Sequence, residues 1–271
     1  MESRSLTLIL PAYNEEARLG AALDELYAYL QTAQAAASLP EVVRVLVVDD
    51  GSTDGTAAIV HHRHEAERAS DATVPAVTGQ DPTRPSLAIL SIPHGGKGAA
   101  VRAGMLAADT DLVVFADADM ATPPDQIPLL VSALADHDVA IGSRIQPDGS
   151  DMRATQPRFR RMLGAVFHGL ASAWVVGPVQ DTQCGLKGFT RAAAHDLFRR
   201  QRITSIVFDV EIIHLAEVRG YRMAVVPIRW SDRRGSRMRT RPLLAARVAW
   251  DLLRIPLIHR RDRRRATTPA G

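Results

Sequence analysis

The first half of the chain alternates short apolar segments with polar loops and helix-like segments, and this alternation limits the folds open to it. Apolar runs at residues 6–10, 42–48, 87–90 and 112–116 have the length and the aliphatic content of buried strands. A helical pattern follows each of the first three runs, which predicts right-handed βαβ units around a parallel sheet. The predicted fold class is therefore α/β, with a mostly parallel central sheet flanked by helices in a Rossmann-like arrangement.

Polar residues collect at the ends of these strands, where open parallel sheets bind their ligands. They follow the four strands at residues 11–16, 49–56, 93–98 and 117–119. Alternate residues of an extended segment share a face, so the carboxylates of residues 117 and 119 can converge on one small volume. Two hard oxygen ligands favour Mg²⁺ or Mn²⁺, which usually also binds phosphate oxygens of a substrate.

The second half continues with mixed elements and contains no linker rich in proline, glycine or serine. It has strand-like runs near residues 139–144 and 223–230, a helical pattern at 158–176, a polar turn at 181–187, and helical patterns from 192 and at 208–218. We expect one domain over residues 1–240, an amphipathic helix over 241–259 and a basic tail without fixed structure over 260–271.

The amphipathic helix carries a broad apolar face and an opposite polar stripe. The apolar face comprises Leu244, Ala245, Val248, Ala249, Leu252, Leu253 and Ile255, whereas Arg247, Asp251 and Arg254 form the stripe. With Trp250 and flanking arginines, this helix suits a membrane surface, although it is too charged to span a bilayer. Docking on the protein's own core or on a second subunit is the alternative.

Charge is distributed unevenly along the 271 residues. Thirteen arginines and three aspartates give residues 229–265 a net charge of +10, against +3 for the whole chain. Such a basic end favours a polyanionic partner: anionic lipid, a phosphorylated substrate or nucleic acid. Nucleic acid is not favoured, because no recognised module or aromatic-interleaved basic face is present. We do not expect the N-terminal segment to be a signal peptide, and the single cysteine, Cys184, favours a reducing compartment.

The polar clusters, in their order and placement, resemble the inverting glycosyltransferases of family 2, which have the GT-A fold. Four motifs carry the resemblance: Pro11-Ala12-Tyr13-Asn14-Glu15, Val48-Asp49-Asp50-Gly51-Ser52-Thr53-Asp54, Gly96-Lys97-Gly98 and Asp117-Ala118-Asp119. The second half is similar to the polyprenyl-phosphate sugar synthases, and within them to the dolichyl-phosphate β-glucosyltransferases, through Gly142-Ser143-Arg144, Phe167-His168, Asp181-Thr182-Gln183-Cys184-Gly185, Phe208-Asp209-Val210-Glu211 and Gly235-Ser236-Arg237.

The resemblance implies roles on the donor side of the reaction. Asp117 and Asp119 would hold Mg²⁺ or Mn²⁺ on the diphosphate of a nucleotide-sugar, so both count as catalytic. The nucleotide would be bound by Pro11, Tyr13, Glu15, Asp50, Lys97, Asp117, Ser236 and Arg237, the last two closing over the diphosphate. Related mannosyl-transferring synthases often have a third polar metal ligand where this chain has Ala121, which favours the glucosyl-type branch.

The resemblance also implies a sugar site and an acceptor site. The sugar would lie against Asp181, Gln183, Asp209 and Glu211, and the acceptor phosphate would bind Arg144 and Arg160. Arg144 and Asp209 would take part in catalysis. The reaction would move a hexose, with UDP-glucose favoured as donor, to polyprenyl or dolichyl phosphate and give a β-linked product. The nucleophile is then an anionic phosphate oxygen, so a strong general base is less necessary.

Three other functions remain open from the sequence. A family 2 enzyme that glycosylates a hydroxyl group would need a base, for which Asp209 is the candidate. A nucleic-acid-binding protein and an inactive scaffold that binds nucleotide-sugars are less favoured. A lipid-linked acceptor would place the protein at the cytoplasmic face of a membrane as a peripheral protein, and homo-oligomerisation is left open.

Overall fold

A seven-stranded mixed sheet forms the centre of the protein in the structure, a computed structural model. The structure describes residues 4–35, 38–71, 85–152, 169, 174–175, 181–231 and 242–262. The strands are β1 (Ser5–Ala12), β2 (Val42–Asp49), β3 (Ser86–Ser91), β4 (Leu112–Ala116), β5 (Val139–Ser143), β6 (Leu186–Thr190) and β7 (Met223–Pro227). Their order is β3-β2-β1-β4-β6-β5-β7, and only β6 runs antiparallel to its neighbours. The predicted α/β class with a mostly parallel sheet is confirmed.

Helices in the described part of the chain flank this sheet. They are α1 (Glu16–Ala35), α2 (Thr56–Asp71), α3 (Lys97–Ala107), α4 (Ile127–Ala133), α5 (Arg191–Arg200), α6 (Phe208–Val218) and α7 (Pro242–Ile258). A 3₁₀ turn, Pro124–Gln126, precedes α4. The helix predicted over residues 158–176 lies outside the described residues, except at three positions.

Two apolar layers bury the faces of the sheet. Leu8 and Leu10 of β1 face the layer that contains Leu23 of α1. Ile9, between them, faces the other layer with Met105 of α3 and residues of α5 and α6. The alternation follows from the two-residue period of a strand, and it explains why β1 and β4 read as continuous apolar runs.

The antiparallel strand β6 brings a late segment of the chain to the edge where β4 ends. Ala116 pairs with Leu186 and Phe115 with Lys187 in this register. The backbone N–H of Asp117 donates to the carbonyl of Gly185 at 3.1 Å. Residues 181–185 consequently lie beside the two aspartates that follow β4. The polar turn predicted to reach Lys187 ends earlier, because Lys187 belongs to β6 and is 1% exposed.

The C-terminal helix α7 packs on the domain. Leu252 and Ile255 are buried, and so is Asp251, which the sequence placed on a polar stripe. The Asp251 carboxylate accepts a hydrogen bond from Ser205 Oγ at 2.7 Å and pairs with Arg254 at 2.8 Å. The stripe is therefore only partly exposed, since one of its members is bonded to the domain.

The residues after α7 remain attached to the domain as far as the structure describes them. His259 is buried, with Nε2 2.7 Å from Glu211 and Nδ1 2.7 Å from Asp262. Burial alone would lower the pKa of His259, but the two carboxylates raise it above its ordinary value. Asp262, which lies two residues inside the predicted unstructured tail, also accepts a hydrogen bond from Arg200 at 2.7 Å. Residues 263–271 of that tail lie outside the described residues.

Among the helices that the structure describes, none has the length and apolar character needed to cross a bilayer.

Candidate active site

The loops that follow β1 and β2 are bonded to each other. The backbone N–H of Asn14 donates to Ser52 Oγ at 2.9 Å, and that of Thr53 donates to Asn14 Oδ1 at 2.8 Å. The N–H of Glu15 donates to Thr56 Oγ1 at 2.7 Å. Asn14 has φ +54°, a left-handed conformation that asparagine adopts more readily than most residues. This cross-bonding fixes two of the predicted nucleotide-binding motifs as one unit.

Asp50 joins this unit to the glycine-rich loop before α3. Its carboxylate is 2% exposed and accepts from the backbone N–H groups of Gly95 and Gly96, at 2.8 and 2.9 Å. His94 Nδ1 lies 2.9 Å from the same carboxylate. At Gly96, with φ +94°, a Cβ would lie 2.9 Å from the carbonyl oxygen of Thr204, so no larger residue fits. Asp50 therefore sets the start of α3 and the position of Lys97.

An exposed aromatic pair lies next to Asp50. The rings of Tyr13 and His94 are stacked with 4.2 Å between centroids and 23° between planes, and Tyr13 is 42% exposed. A planar base can extend such a stack. The resemblance implied a nucleotide contact for Tyr13, and the structure adds His94, which was visible only as part of the glycine-rich segment. Pro11, near the end of β1, is half-buried in the same region.

Asp117 is held between a lysine and a glycine. Lys97 Nζ lies 2.5 Å from Asp117 Oδ1. Burial alone would lower the pKa of Lys97, but Asp117, Asp209 and Asp119 together raise it well above its usual range. On the other side, a Cβ on Gly185 would lie 2.0 Å from Asp117 Oδ2. Any residue larger than glycine at position 185 would therefore clash with the Asp117 carboxylate.

Asp119 is positioned by a tight turn and faces an arginine. Its Oδ1 accepts from the backbone N–H of Ala121 at 3.1 Å, and the chain turns through Met120 at φ +49°. Arg18 of α1 donates to the Glu15 carboxylate through Nε and Nη2, at 2.8 and 2.7 Å. Its Nη1 lies 4.0 Å from Asp119 Oδ2. Sequence reasoning missed Arg18, although its spacing of three residues from Glu15 at a helix start could have suggested the pair.

The two aspartates fit a metal ion only if a substrate completes its coordination. No group of three or more His, Cys, Asp or Glu side chains with metal-binding geometry occurs among the residues described. Magnesium is commonly bound by one or two carboxylates together with substrate phosphates and water. Asp117 and Asp119 meet that requirement with hard oxygen ligands. Ala121 adds no ligand, and its backbone groups bond to Asp119 and Ser231.

A buried ion pair lies beneath Asp117. Lys187 Nζ donates to Asp209 Oδ1 and to the carbonyl of Cys184, both at 2.6 Å. Asp209 is 3% exposed, and burial raises the pKa of its carboxyl, an effect that Lys187 and Lys97 oppose and Asp117 reinforces. Sequence reasoning missed Lys187, which it placed in a polar turn. The pair puts Asp209 close to the predicted donor site but gives its carboxylate an internal partner.

Arg144, which is half-buried, and the buried Asp181 form a second pair on the other side of Gly185. Arg144 donates to Asp181 from Nε at 2.8 Å, Nη2 at 2.6 Å and its backbone N–H at 2.8 Å. Burial would lower the pKa of Arg144, but Asp181 raises it, and the guanidinium also faces the ring of Trp230 at 5.5 Å. Asp181, predicted to contact the sugar, is 2% exposed and orients Arg144. Gln183 on the same segment is half-buried.

Among the four residues predicted to contact the sugar, Glu211 has the environment that departs most from the prediction. It has 0% exposure, and its carboxylate accepts from the backbone N–H groups of Arg202 and Ile203 at 2.8 Å each, besides its contact with His259. A direct sugar contact would require this enclosure to open. Arg160, Ser236 and Arg237 lie outside the described residues, so their predicted roles stay predictions.

Cys184 is fully buried in the core of the protein. Burial raises the pKa of its thiol to about 11, with a smaller contribution from Asp181. The thiol is therefore protonated at neutral pH and is a poor nucleophile.

Comparison with known proteins gives consistent matches. The family model for glycosyl transferase family 2 matches residues 7–198. A Drosophila melanogaster protein named dolichyl-phosphate beta-glucosyltransferase is 37% identical over 247 residues, which cover 87% of this chain and 70% of that protein.

Two solved structures share the fold at lower identity. Staphylococcus aureus TarS 1–349 in complex with UDP-GlcNAc aligns with TM-score 0.54 and 18% identity, over 93% of this chain and 66% of that one. The mannosyltransferase PcManGT from Pyrobaculum calidifontis, in complex with GDP-Man and Mn²⁺, aligns with TM-score 0.51 and 19% identity, over 95% and 71%. At this identity the likeness concerns the fold alone, which is the GT-A arrangement.

Proposed function

This chain belongs to glycosyl transferase family 2, and on that premise we propose that it transfers glucose from UDP-glucose to a polyprenyl or dolichyl phosphate. The product would be a β-linked lipid-phosphate sugar, formed with inversion at the anomeric carbon. The name of the Drosophila relative supports the sugar and the acceptor. The two solved neighbours are complexes with UDP-GlcNAc and with GDP-Man, which supports a nucleotide-sugar donor here.

One observation carries this proposal: a carboxylate pair suited to a metal diphosphate adjoins a half-buried arginine suited to a phosphate. Asp117 lies close enough to Arg144 to raise its pKa, as it does that of Lys97. The short segment 181–185 both contacts Asp117 and holds Arg144. Two phosphate-binding regions side by side are what transfer between a diphosphate donor and a phosphate acceptor requires.

On the donor side, the chain's residues bind and orient the nucleotide-sugar. The base would stack on the Tyr13–His94 pair, and the ribose would lie near the Asp50 loop. Lys97 and Arg18 would bind diphosphate oxygens. A Mg²⁺ or Mn²⁺ ion held by Asp117 and Asp119 would neutralise charge on the leaving nucleoside diphosphate. The mannosyltransferase neighbour is a complex with Mn²⁺, which supports this cofactor.

On the acceptor side, Arg144 would bind the lipid phosphate. A guanidinium has five N–H donors, and Asp181 takes two of them from the side chain. The planar group is therefore oriented by Asp181 and can present its remaining edge to phosphate. Transfer to a hydroxyl with Asp209 as base is less favoured, because the buried ammonium of Lys187 already occupies that carboxylate.

The C-terminal region supports contact with a membrane surface. Trp174, Trp250, Leu253 and Leu257 form what we call the aromatic patch; these side chains are 49–64% exposed. Trp174 Nε1 donates to the carbonyl of Leu253 at 3.2 Å, which joins the two segments. Apolar side chains flanked by exposed arginines favour the interface of an anionic leaflet, here proposed to be a cytoplasmic one.

The experiment that tests this function uses the full chain with Mg²⁺ or Mn²⁺, a panel of UDP- and GDP-sugars and a short polyprenyl phosphate. We expect labelled glucose on the lipid with UDP-glucose, and a β anomer by NMR. Asp119→Ala should abolish transfer, whereas Asp109→Ala, which removes an exposed carboxylate paired with Arg44, should not. Transfer to a sugar hydroxyl but to no lipid phosphate would overturn the proposal. Full transfer by Asp119→Ala would overturn the metal assignment.

A further inference from the structure

Both aspartates of the predicted metal site face a cation of the chain itself. Lys97 lies 2.5 Å from Asp117 Oδ1, and Arg18 Nη1 lies 4.0 Å from Asp119 Oδ2. The Nη1 atom of Arg18 is buried, and no hydrogen-bond partner for it occurs in the part of the chain that the structure describes. A buried guanidinium donor without a partner is rare enough to require an explanation.

We propose that Lys97 and Arg18 are internal counter-ions that keep a divalent metal off Asp117 and Asp119 until a nucleoside diphosphate binds. The metal and the donor diphosphate then enter as a unit, rather than the metal first. This inference rests on the proposed function only in taking a nucleoside diphosphate as the leaving group. It concerns the order of binding, which the family assignment leaves undetermined.

Electrostatics supports exclusion of the metal from the free protein. An ammonium at hydrogen-bond distance from Asp117 neutralises the charge that would attract a metal, and it repels the incoming ion. The guanidinium of Arg18 acts on Asp119 in the same way from a longer distance. Lys97 offsets the charge of Asp117, and Arg18 divides its charge between Glu15 and Asp119, so less negative charge is left to attract a divalent ion.

A diphosphate can reverse this arrangement because it offers both cations new partners. Phosphate oxygens accept strong charge-assisted hydrogen bonds from lysine and arginine. The Lys97 side chain is 30% exposed, so it can turn from Asp117 to a ligand at the sheet edge. Glu15 holds Arg18 through Nε and Nη2, which leaves the unpartnered Nη1 aimed towards Asp119. The two carboxylates thereby become available to a metal at the moment the diphosphate arrives.

The first test measures Mn²⁺ binding to the full chain by electron paramagnetic resonance, with and without UDP. We expect weak binding to the wild-type protein alone and much tighter binding with UDP. In Lys97→Met, Mn²⁺ should bind about tenfold more tightly without nucleotide, and UDP should add less. Arg18→Met should show a smaller gain, because its distance to Asp119 is longer. A Lys97→Met protein that binds Mn²⁺ no more tightly than wild type overturns the proposal.

A matched control separates this effect from a general change in charge. Arg44 is an exposed cation on β2 paired with Asp109, and Arg44→Met removes one positive charge as Lys97→Met does. Arg44→Met should bind Mn²⁺ like wild type. An equal gain in Arg44→Met would show that net charge, not the contact with Asp117, controls metal affinity, and would also overturn the proposal.

The second test follows Lys97 directly and needs no variant. The sequence contains only two lysines, Lys97 and Lys187, so protein labelled with ¹³C,¹⁵N-lysine gives two side-chain NMR signals. Mg²⁺ alone should leave the Lys97 signal in place, whereas Mg²⁺ with UDP should shift it, and the buried Lys187 signal should move less. A full shift with Mg²⁺ alone overturns the proposal.

Neither measurement depends on sugar transfer, so the two proposals can fail separately. If lipid phosphate is not glycosylated but Lys97→Met binds Mn²⁺ more tightly, the counter-ion proposal stands without the proposed function. If transfer occurs as proposed but Mn²⁺ binds wild-type protein and Lys97→Met equally well, the enzyme assignment stands and the binding order is overturned.

Discussion

Gly185 determines where the Asp117 carboxylate can lie. A Cβ at position 185 would be 2.0 Å from Asp117 Oδ2 and 2.4 Å from its Cγ. The carboxylate is the movable partner, so Gly185→Ala should displace it while leaving the fold intact. Because small displacements of a positioning group lower rates steeply, we expect transfer to fall about 10²-fold with little change in melting temperature. Initial rates and a thermal melt check this.

Gly20→Ala is the matched control for that change. A Cβ at Gly20 meets no atom within 4 Å, and the residue lies inside α1. Alanine should stabilise the helix by about 1 kcal/mol and leave transfer unchanged. A wild-type rate in Gly185→Ala would show that the observed position of Asp117 is not required.

The buried pair of Lys187 and Asp209 should be costly to break from one side. Lys187→Met leaves the Asp209 carboxylate buried without its ammonium partner, and we expect the free energy of unfolding to drop by about 3–5 kcal/mol. Lys187→Met combined with Asp209→Asn should recover part of that loss, since no charge then remains unpaired there. Urea unfolding of the single and double variants measures both. Equal losses in the two would contradict a charge-pair role.

The position of a single residue was predictable where the local sequence pattern determines it. It was not predictable where it depends on a bonding partner that is distant in sequence. The sequence placed Asp117 and Asp119 directly after β4, but it assumed an extended segment for them, whereas the structure has a turn in which the N–H of Met120 donates to the carbonyl of Asp117. Lys187 bonds to Asp209, 22 residues away, and a lysine within a polar run gives no sign of burial. Arg144 was predicted as a phosphate ligand, but its bonds to Asp181 depend on contacts that the sequence does not show.

At the scale of elements, strand identity was more predictable than strand direction. β1, β2 and β4 were predicted to within two residues because their apolar runs are bounded by polar loops. The antiparallel direction of β6 was not predicted. It depends on the path between residues 144 and 181, and no local property of a five-residue strand encodes that path.

The attachment of α7 should depend on pH through His259, which contacts Glu211 and Asp262; Asp262 in turn accepts from Arg200. The pKa of His259 is raised in the folded protein. Its stabilising charge is thus fully present below the unfolded value of about 6.5 and is lost as pH rises through the folded value. We expect His259→Asn to cost about 2–4 kcal/mol near pH 6 and less near pH 9, by urea unfolding.

An exposed histidine supplies the comparison for this pH dependence. His61→Asn changes a solvent-exposed residue of α2 and should leave the free energy of unfolding nearly the same at both pH values. A cost for His259→Asn that does not change between pH 6 and pH 9 would mean that the imidazole acts by packing rather than by charge.

At the scale of the whole molecule, the aromatic patch should govern binding to vesicles. Trp250→Ser combined with Leu253→Ser removes two large exposed apolar side chains, each worth about 1.5–3 kcal/mol when buried. We expect partition onto anionic vesicles to fall at least about tenfold, measured by co-sedimentation, while transfer to a short, soluble polyprenyl phosphate is retained.

A second exposed leucine tests whether the location of the change matters. Leu129 on α4 is 44% exposed, and Leu129→Ser should not alter vesicle binding. Undiminished binding of the Trp250→Ser, Leu253→Ser protein would contradict the role of the patch.

The architecture as a whole was predictable because the strand–helix alternation admits few arrangements. The sequence could not decide between docking of α7 on the protein's own domain and docking elsewhere, since a broad apolar face serves either. The structure shows that one side, with Leu252 and Ile255, packs on the domain while Leu253 and Leu257 stay exposed. Apolar periodicity shows that a helix has an apolar face, but it does not show how much of that face the domain covers.

The pairing of β4 with β6 has a consequence for how such a gene can diversify. Strands β1–β4, with the proposed donor residues Tyr13, Asp50 and Lys97, are encoded before codon 120, and β5–β7, with Arg144, come later. Within the sheet these two blocks meet only at the β4–β6 boundary. A recombination event in the short stretch after Asp119 would exchange the later block as a cassette. Descendants could thereby acquire a new acceptor while inheriting the ancestral nucleotide-binding residues Tyr13, Asp50 and Lys97.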